Sequence, residues 1–282
     1  MILADSLGSI YGLASALSWG AGDFSGGVAT KKTNVYSVVI GSQLIGILFL
    51  IILAFIFLEQ IPLPTDIIWG MIAGLIGAFG LVVLYQGLSI GKMTVVAPTS
   101  AIFAVIIPLI ASSINEGIPN NFQILGFVVA ILSVWLVTQT SQDVIANQSG
   151  FKYGVLAGLG FGLFFITINQ VQKGFVFWPL VAARFASIFI LFVISLVMRK
   201  IQVPKSNQLP IIISAGIFDV GGNAFFVLAA HSGRLDIASV LSSFYPAVTV
   251  ILALIIMKEK LSRLQIFGIL FVIIAILLIT AG

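Results

Sequence analysis

The chain repeats itself at one offset with almost no gaps. Tyr11-Gly12 returns as Tyr153-Gly154, Gly20 as Gly162, Pro62 as Pro204 and Gly74 as Gly216. Gly91-Lys92 returns as Gly233-Arg234, Gln123-Ile124-x-Gly126 as Gln265-Ile266-x-Gly268, and Thr138 as Thr280. Each pair is separated by 142 positions, so half the chain is a copy of the other half. Internal repeats at this scale in an apolar chain point to a membrane transporter built from two related bundles.

Hydrophobic residues make up 60% of the 282 residues and charged residues only 8%, with a mean hydropathy of +1.22. A soluble domain carries roughly 25% charged residues to cover its surface, so this chain has to face lipid. The net charge of +4 comes from loop lysines and arginines. It reads as membrane orientation and not as nucleic-acid binding. The sequence has no cysteine, which excludes disulfides and cysteine-based metal sites. The first apolar stretch lacks a basic start and a small-residue cleavage site, so it does not read as a signal peptide.

Apolar stretches of about 20 residues, punctuated by Pro, Gly and charge, predict an all-α polytopic membrane protein with ten transmembrane helices. The first copy, residues 1–140, holds Leu7–Ala29, Val35–Phe57, Ile67–Ile90, Thr94–Ile114 and Phe122–Thr140. The second, residues 150–282, holds Tyr153–Gln172, Trp178–Met198, Leu209–His231, Asp236–Met257 and Leu264–Ala281. The longest polar connection, Ser141 to Lys152, lies where the copies meet. Five is odd, so the second copy enters the membrane from the opposite side and the two five-helix repeats are inverted.

Charge placement agrees. Lys31, Lys32 and Lys92 follow spans 1 and 3, whereas Arg199, Lys200, Lys205, Lys258, Lys260 and Arg263 follow spans 7 and 9. Relative to the repeat the basic loops have switched. In absolute terms they share one face with Lys152, and only Lys173 and Arg234 fall on the other. The positive-inside rule makes the basic face cytoplasmic and puts both termini outside.

Two motifs recur across spans 4–5 and 9–10. They are Glu116-Gly-Ile-Pro-Asn-Asn-Phe-Gln123-Ile-Leu-Gly126 and Glu259-Lys-Leu-Ser-Arg-Leu-Gln265-Ile-Phe-Gly268. A Glu ends one helix and a Gln-x-x-Gly opens the next. Together with Ser18-Trp19-Gly20, Pro179-Leu-Val-Ala-Ala-Arg184-Phe185 and Tyr245-Pro246-Ala247-Val248, the chain resembles the drug/metabolite transporter superfamily, EamA-type, over its whole length. The resemblance implies a multi-pass permease, in a prokaryotic cell membrane, that moves small metabolites such as amino acids, sugars or amines through a central cavity lined by both halves. It also implies both termini in the cytoplasm, against the charge rule. Arg184 has no copy in the first half, where Ser42 and Gln43 occupy the neighbourhood, and Pro246 maps to Ala104. The cavity is therefore chemically asymmetric.

Charged groups inside spans cost at least a few kcal/mol, so each needs a partner, a water-filled cavity or a function. Asp23, Arg184 and Asp219 stand out. Asp23 lies about six residues, roughly 9 Å, before its helix end. Arg184 lies a similar distance from the opposite face, which separates the two in depth. Asp219, near the middle of span 8, is the better partner for Arg184. Arg184 reads either as half of an ion pair that fixes helix packing or as an anchor for a carboxylate or phosphate. Asp219 reads as the other half of that pair or as a proton carrier. Asn223 shares the Asp219 helix face. Asp23 shares its depth with Gln43 and reads either as a helix–helix hydrogen bond near the interface or as a substrate contact, and Gly22, Gly26 and Gly27 allow close approach or a local break there. Trp19 and Tyr85 read as cavity aromatics able to cup an amine or as packing. Gln86 lies beside Tyr85, and His231 reads as a water-exposed interfacial residue. Tyr245 precedes Pro246, which frees a backbone carbonyl one turn earlier.

The predicted substrate-binding set is thus Arg184, Asp219, Asn223, Trp19, Asp23, Gln43, Tyr85, Gln86 and Tyr245. No cofactor or metal is expected. The partners are a small molecule, the bilayer and a coupling proton or ion. The chain has no G-x-x-x-x-G-K-[ST] loop, which leaves a secondary carrier using alternating access. A second hypothesis is an intramembrane aspartyl protease using Asp23 and Asp219 as a proton-sharing dyad. Gly20-Ala21-Gly22-Asp23, Phe218-Asp219 and Pro246-Ala247-Val248 loosely echo that chemistry, but the G-x-G-D element comes first, which is the wrong order, and inverted duplication has no purpose in that mechanism. A channel or scaffold would require an open pore or a filled interior.

Overall fold

The computed structural model describes residues 2–90, 93–137, 148–199, 202–257 and 263–281. Gly91, Lys92, Thr138, Lys200, Lys258, Glu259 and Lys260 lie outside the described residues, as does 141–147 of the connection expected between the copies.

Among the described residues every regular element is helical. The first copy contributes α1 (Ile2–Thr30), α2 (Val35–Ile56), α3 (Pro64–Ile90), α4 (Met93–Asn115) and α5 (Asn121–Val137). The second contributes α6 (Gln148–Ile168), α7 (Phe177–Val197), a short 3₁₀ turn (Ser206–Gln208), α8 (Leu209–Ser232), α9 (Leu235–Ser242), α10 (Tyr245–Met257) and α11 (Arg263–Ala281). Five segments are long and apolar enough to cross a membrane: Val35–Ile56, Pro64–Ser89, Gly150–Ile168, Phe177–Val197 and Ser206–Ser232. Their outer faces carry large exposed apolar side chains, among them Leu48, Phe55, Phe185, Phe189 and Phe192.

Three expectations are corrected. Span 6 ends at Ile168, not Gln172, because the chain tightens into i→i−3 bonds from Gln170 to Thr167 and Val171 to Ile168. α6 already starts at Gln148, inside the expected polar connection Ser141–Lys152. Span 9 is two helices. Pro246 has no N–H to offer the Ser242 carbonyl, and Ser243 and Phe244 close the gap with turn bonds to Val240 and Leu241. The first copy has Ala104 at the matching place, and α4 runs through it unbroken.

The copies pack mainly on one another. Repeated glycines lie at equivalent contacts between them. Gly12 of α1 lies on Leu241 of α9, and its repeat mate Gly154 of α6 lies on Thr99 of α4, the mate of Leu241. Gly20 packs on Val248 and Gly162 on Ala104 and Ile107. Gly74 of α3 lies against the Ala183 carbonyl of α7, and Gly216 of α8 against the Ser42 carbonyl of α2. A side chain at any of these positions would hold the backbones apart.

The same contacts set the run of the helices. α1 is antiparallel to α8, with Gly8 near Gly233, Ser15 donating to the Gly222 carbonyl at 2.9 Å and Gly22 on Asp219. α3 is antiparallel to α6, with Gly77 on Phe164 and Gly87 on Tyr153. α3 is parallel to α7 (Gly70 on Pro179, Gly74 on Ala183), and α2 is parallel to α8 (Gly41 on Ile212, Gly46 on Val220). The loops after α1 and α7 share one end of the bundle, where the Gln208 amide donates to the Lys32 carbonyl at 3.3 Å.

Candidate functional site

A cavity lies where α1, α3, α6, α7, α8 and the α9–α10 break converge. Trp19, Asp23, Arg184, Asp219, Asn223 and Tyr245 supply its polar lining. Gly74, Gly77, Phe161, Phe164, Phe165 and Leu180 are among its apolar walls. The volume open to the centre of a water molecule is about 60 Å³. One water centre needs roughly 10–15 Å³, so the space suits a few waters or a small solute.

Close packing puts the charged groups there. Gly74 lets α3 sit directly on the backbone of α7 at Ala183, one residue before Arg184. Gly22 lets α1 approach α8 so closely that a Cβ there would lie 3.2 Å from the Asp219 amide nitrogen. An Arg184 guanidinium nitrogen lies 2.6 Å from Asp219 Oδ2, and both side chains are largely buried. Among the described residues, Arg184 Nε is buried with no hydrogen-bond acceptor. Asn223, one turn on from Asp219, donates to its carbonyl at 2.6 Å and to Oδ1 at 3.3 Å.

Asp23 is different. Among the described residues neither ion pair includes it. No hydrogen bond joins it to Asp219, whose carboxylate is held by Arg184 and Asn223. Two carboxyls sharing a proton must nearly touch and hydrogen-bond, so the geometry gives the protease alternative no support.

The aromatic wall is ordered by stacking. Trp19 packs on Phe165 with ring centroids 5.5 Å apart and on Phe226 at 5.7 Å, and those two phenylalanines stack at 4.2 Å. Tyr245 is fixed by Ser100 of α4, with the hydroxyl oxygens 2.6 Å apart. Thr249 donates to the Gly20 carbonyl at 3.1 Å and ties α10 to α1 below it.

Six of the nine expected site residues therefore meet at one cavity. Gln43, Tyr85 and Gln86 lie outside its lining. Gln43 is buried and accepts a hydrogen bond from Ser187 of α7. Tyr85 is buried with its ring packed on Gly26. Gln86 is half-buried on α3, and His231 is half-buried in the last turn of α8.

Sequence reasoning missed several inter-copy ties at one end of the bundle. The Glu59 carboxylate accepts the amides of Val176, Phe177 and Trp178 at 2.8, 3.0 and 2.7 Å, capping the start of α7, and the Trp178 indole donates to the Glu59 carbonyl at 2.9 Å. Asp66, buried in the first turn of α3, accepts from the Gln172 amide at 2.9 Å. Arg234 grips Asp236 at 2.8 Å and the carbonyls of Glu116 and Gly117 at 3.1 and 2.7 Å. The one visible signal was that Arg234 repeats Lys92; Glu59 and Asp66 have partners more than 100 residues away.

The comparisons agree with this architecture. The model of the EamA-like transporter family matches twice, over residues 6–139 and 148–281. An uncharacterised protein of Methanocaldococcus jannaschii is 29% identical over 121 residues, 43% of this chain and 87% of the relative, which is thus about as long as one copy. A solved crystal structure superposes with a TM-score of 0.78 over 98% of both chains at 12% identity, a likeness of fold. With two family matches that between them take in nearly every residue of an apolar, helical, membrane-embedded chain, the protein belongs to the EamA-like transporter family.

Proposed function

We propose that the protein is a secondary active carrier that moves a small metabolite across a prokaryotic cell membrane by alternating access. The two copies act as inverted five-helix bundles, together making ten spans, and rock around the central cavity. The observation that carries this reading is the cavity itself, which holds Arg184, Asp219 and Asp23 between walls drawn from both copies.

Helix direction supports the inversion. Consecutive spans alternate, and α6 is antiparallel to α3 while α7 is parallel to it. Each second-copy helix then runs opposite to its first-copy mate. The basic residues Lys31, Lys32, Arg199 and Lys205 gather at one end, which is the cytoplasmic end under the positive-inside rule. Arg184 anchors the polar end of the substrate, and Asp219 carries the coupling proton.

The test is uptake into liposomes reconstituted with purified protein, using a panel of labelled amino acids, sugars and amines. The wild type is expected to accumulate at least one solute, and Arg184→Ala to lose that accumulation at unchanged expression. Failure of the wild type to accumulate any of them, or undiminished uptake by the variant, refutes the reading.

A further inference from the structure

The carrier reading leaves the substrate class open, and the charges of the cavity narrow it. This inference rests on the carrier reading of the cavity and moves the anchor of the substrate's polar end from Arg184, which Asp219 already neutralises, to Asp23. Among the described residues, three ionisable side chains other than tyrosine line the cavity: Asp23, Arg184 and Asp219. Arg184 and Asp219 neutralise one another at 2.6 Å. Asp23 faces the same space with no cation and no hydrogen-bond donor among the described residues. With all three ionised, the lining carries one uncompensated negative charge. Such a charge at membrane depth costs several kcal/mol unless something neutralises it.

Trp19 lies four residues before Asp23 on α1, so both occupy one helix face a turn apart. Around the indole, Phe161, Phe164 and Phe165 complete an aromatic wall. A carboxylate above an aromatic surface is suited to an ammonium group, which pairs with the carboxylate and is attracted by ring faces. We propose that the cavity takes a small organic monocation, its ammonium on Asp23 and its flat apolar body against Trp19 and the phenylalanines.

Other occupants leave the charge wrong or the lining unused. A zwitterion adds no net charge, and a carboxylate anion doubles the excess. A hard metal cation needs about six oxygen ligands or more, and the described residues hold no cluster of three metal-ligating side chains. A proton would neutralise Asp23 without any use for the aromatic wall.

The test uses three probes of one shape and three charges: phenethylamine, phenylalanine and phenylacetate. Each is titrated into the purified wild-type protein in detergent at one pH and ionic strength, reading calorimetric affinity and the shift in unfolding temperature. Phenethylamine is expected to bind roughly tenfold or more tightly than the other two, and to be the one that raises the unfolding temperature. Asp23→Asn should lose about tenfold or more of that affinity, the scale of one charge-assisted hydrogen bond. The wild-type series decides the matter by itself if that variant fails to fold.

Equal or tighter binding of phenylalanine or phenylacetate overturns the proposal. So does an absence of binding by all three, or a folded Asp23→Asn protein that binds the amine normally. Arg184-dependent uptake of an amino acid without amine binding would end this inference and leave the carrier standing. Amine binding without any translocation would do the opposite.

Discussion

Arg184 of α7 and Asp219 of α8 meet at 2.6 Å on the cavity wall, and both come from the second copy. The first copy answers with Asp23 and has no arginine at the matching place. Two packings that repeat across the molecule thus present a site that does not.

The pair invites a thermodynamic test. Removing one member of a buried ion pair strands the other and costs about 3–5 kcal/mol, whereas replacing both with apolar residues of similar volume is often neutral. Arg184→Met and Asp219→Leu should each lower stability by that amount in detergent, and the double variant should recover most of it. Uptake by the double variant should nonetheless be lost. Retained uptake would make the pair a packing device alone.

Gly74 and Gly216 seat α3 on α7 and α8 on α2 through backbone carbonyls that cannot move aside. An added methyl group in a filled contact costs typically 1–3 kcal/mol. Gly74→Ala and Gly216→Ala should each be destabilising by about that much, read as a fall in unfolding temperature. Because Gly74 sits beside Arg184, its variant should also depress uptake more than Gly216→Ala does; equal effects would argue against that positioning role.

Glu59 takes up three otherwise orphaned amides at the start of α7. Hydrogen bonds to a charged group contribute about 1.5–3 kcal/mol, and loss of a cap about 0.5–2 kcal/mol. Glu59→Ala should therefore lower stability by roughly 1–3 kcal/mol, and hydrogen exchange should speed up first at residues 176–178. Unchanged exchange there would show that the cap does not hold the helix.

The chain contains no cysteine, so single cysteines can map sidedness on an otherwise native background. Lys31 and Lys173 are both exposed, at opposite ends of the bundle. In intact cells an impermeant maleimide should label Lys173→Cys and should reach Lys31→Cys only after permeabilisation. The reverse pattern turns the whole molecule over. Equal labelling of both sites in intact cells contradicts their placement on opposite faces.

Helix existence was legible because apolar runs and the 142-residue offset are local or one-dimensional signals. At Pro246 the missing N–H was legible, since it acts on its own turn, but the division of span 9 into α9 and α10 was not. The pairing of Arg184 with Asp219 was also within reach, because depth along a helix follows from counting residues. That Gln43 bonds Ser187 and lies outside the cavity lining was not legible, because depth says nothing about which way a side chain faces. The partners of Glu59, Asp66 and Arg234 escaped notice, since across the two copies each binds backbone groups that any sequence possesses.

By itself, then, the sequence determined a lipid-embedded helical protein made of two copies, with three ionisable groups at membrane depth. Burial cost and periodicity act through composition and spacing, so they can be read without coordinates. Only the tertiary structure decided which helices touch, that Gly22 and Gly74 bring α1 and α3 close enough to gather Asp23, Arg184 and Asp219 around one cavity, and that Asp23, unlike the other two, has no ion-pair partner among the described residues. Those outcomes depend on rotation about each helix axis and on packing between segments far apart in the chain, which no local pattern encodes.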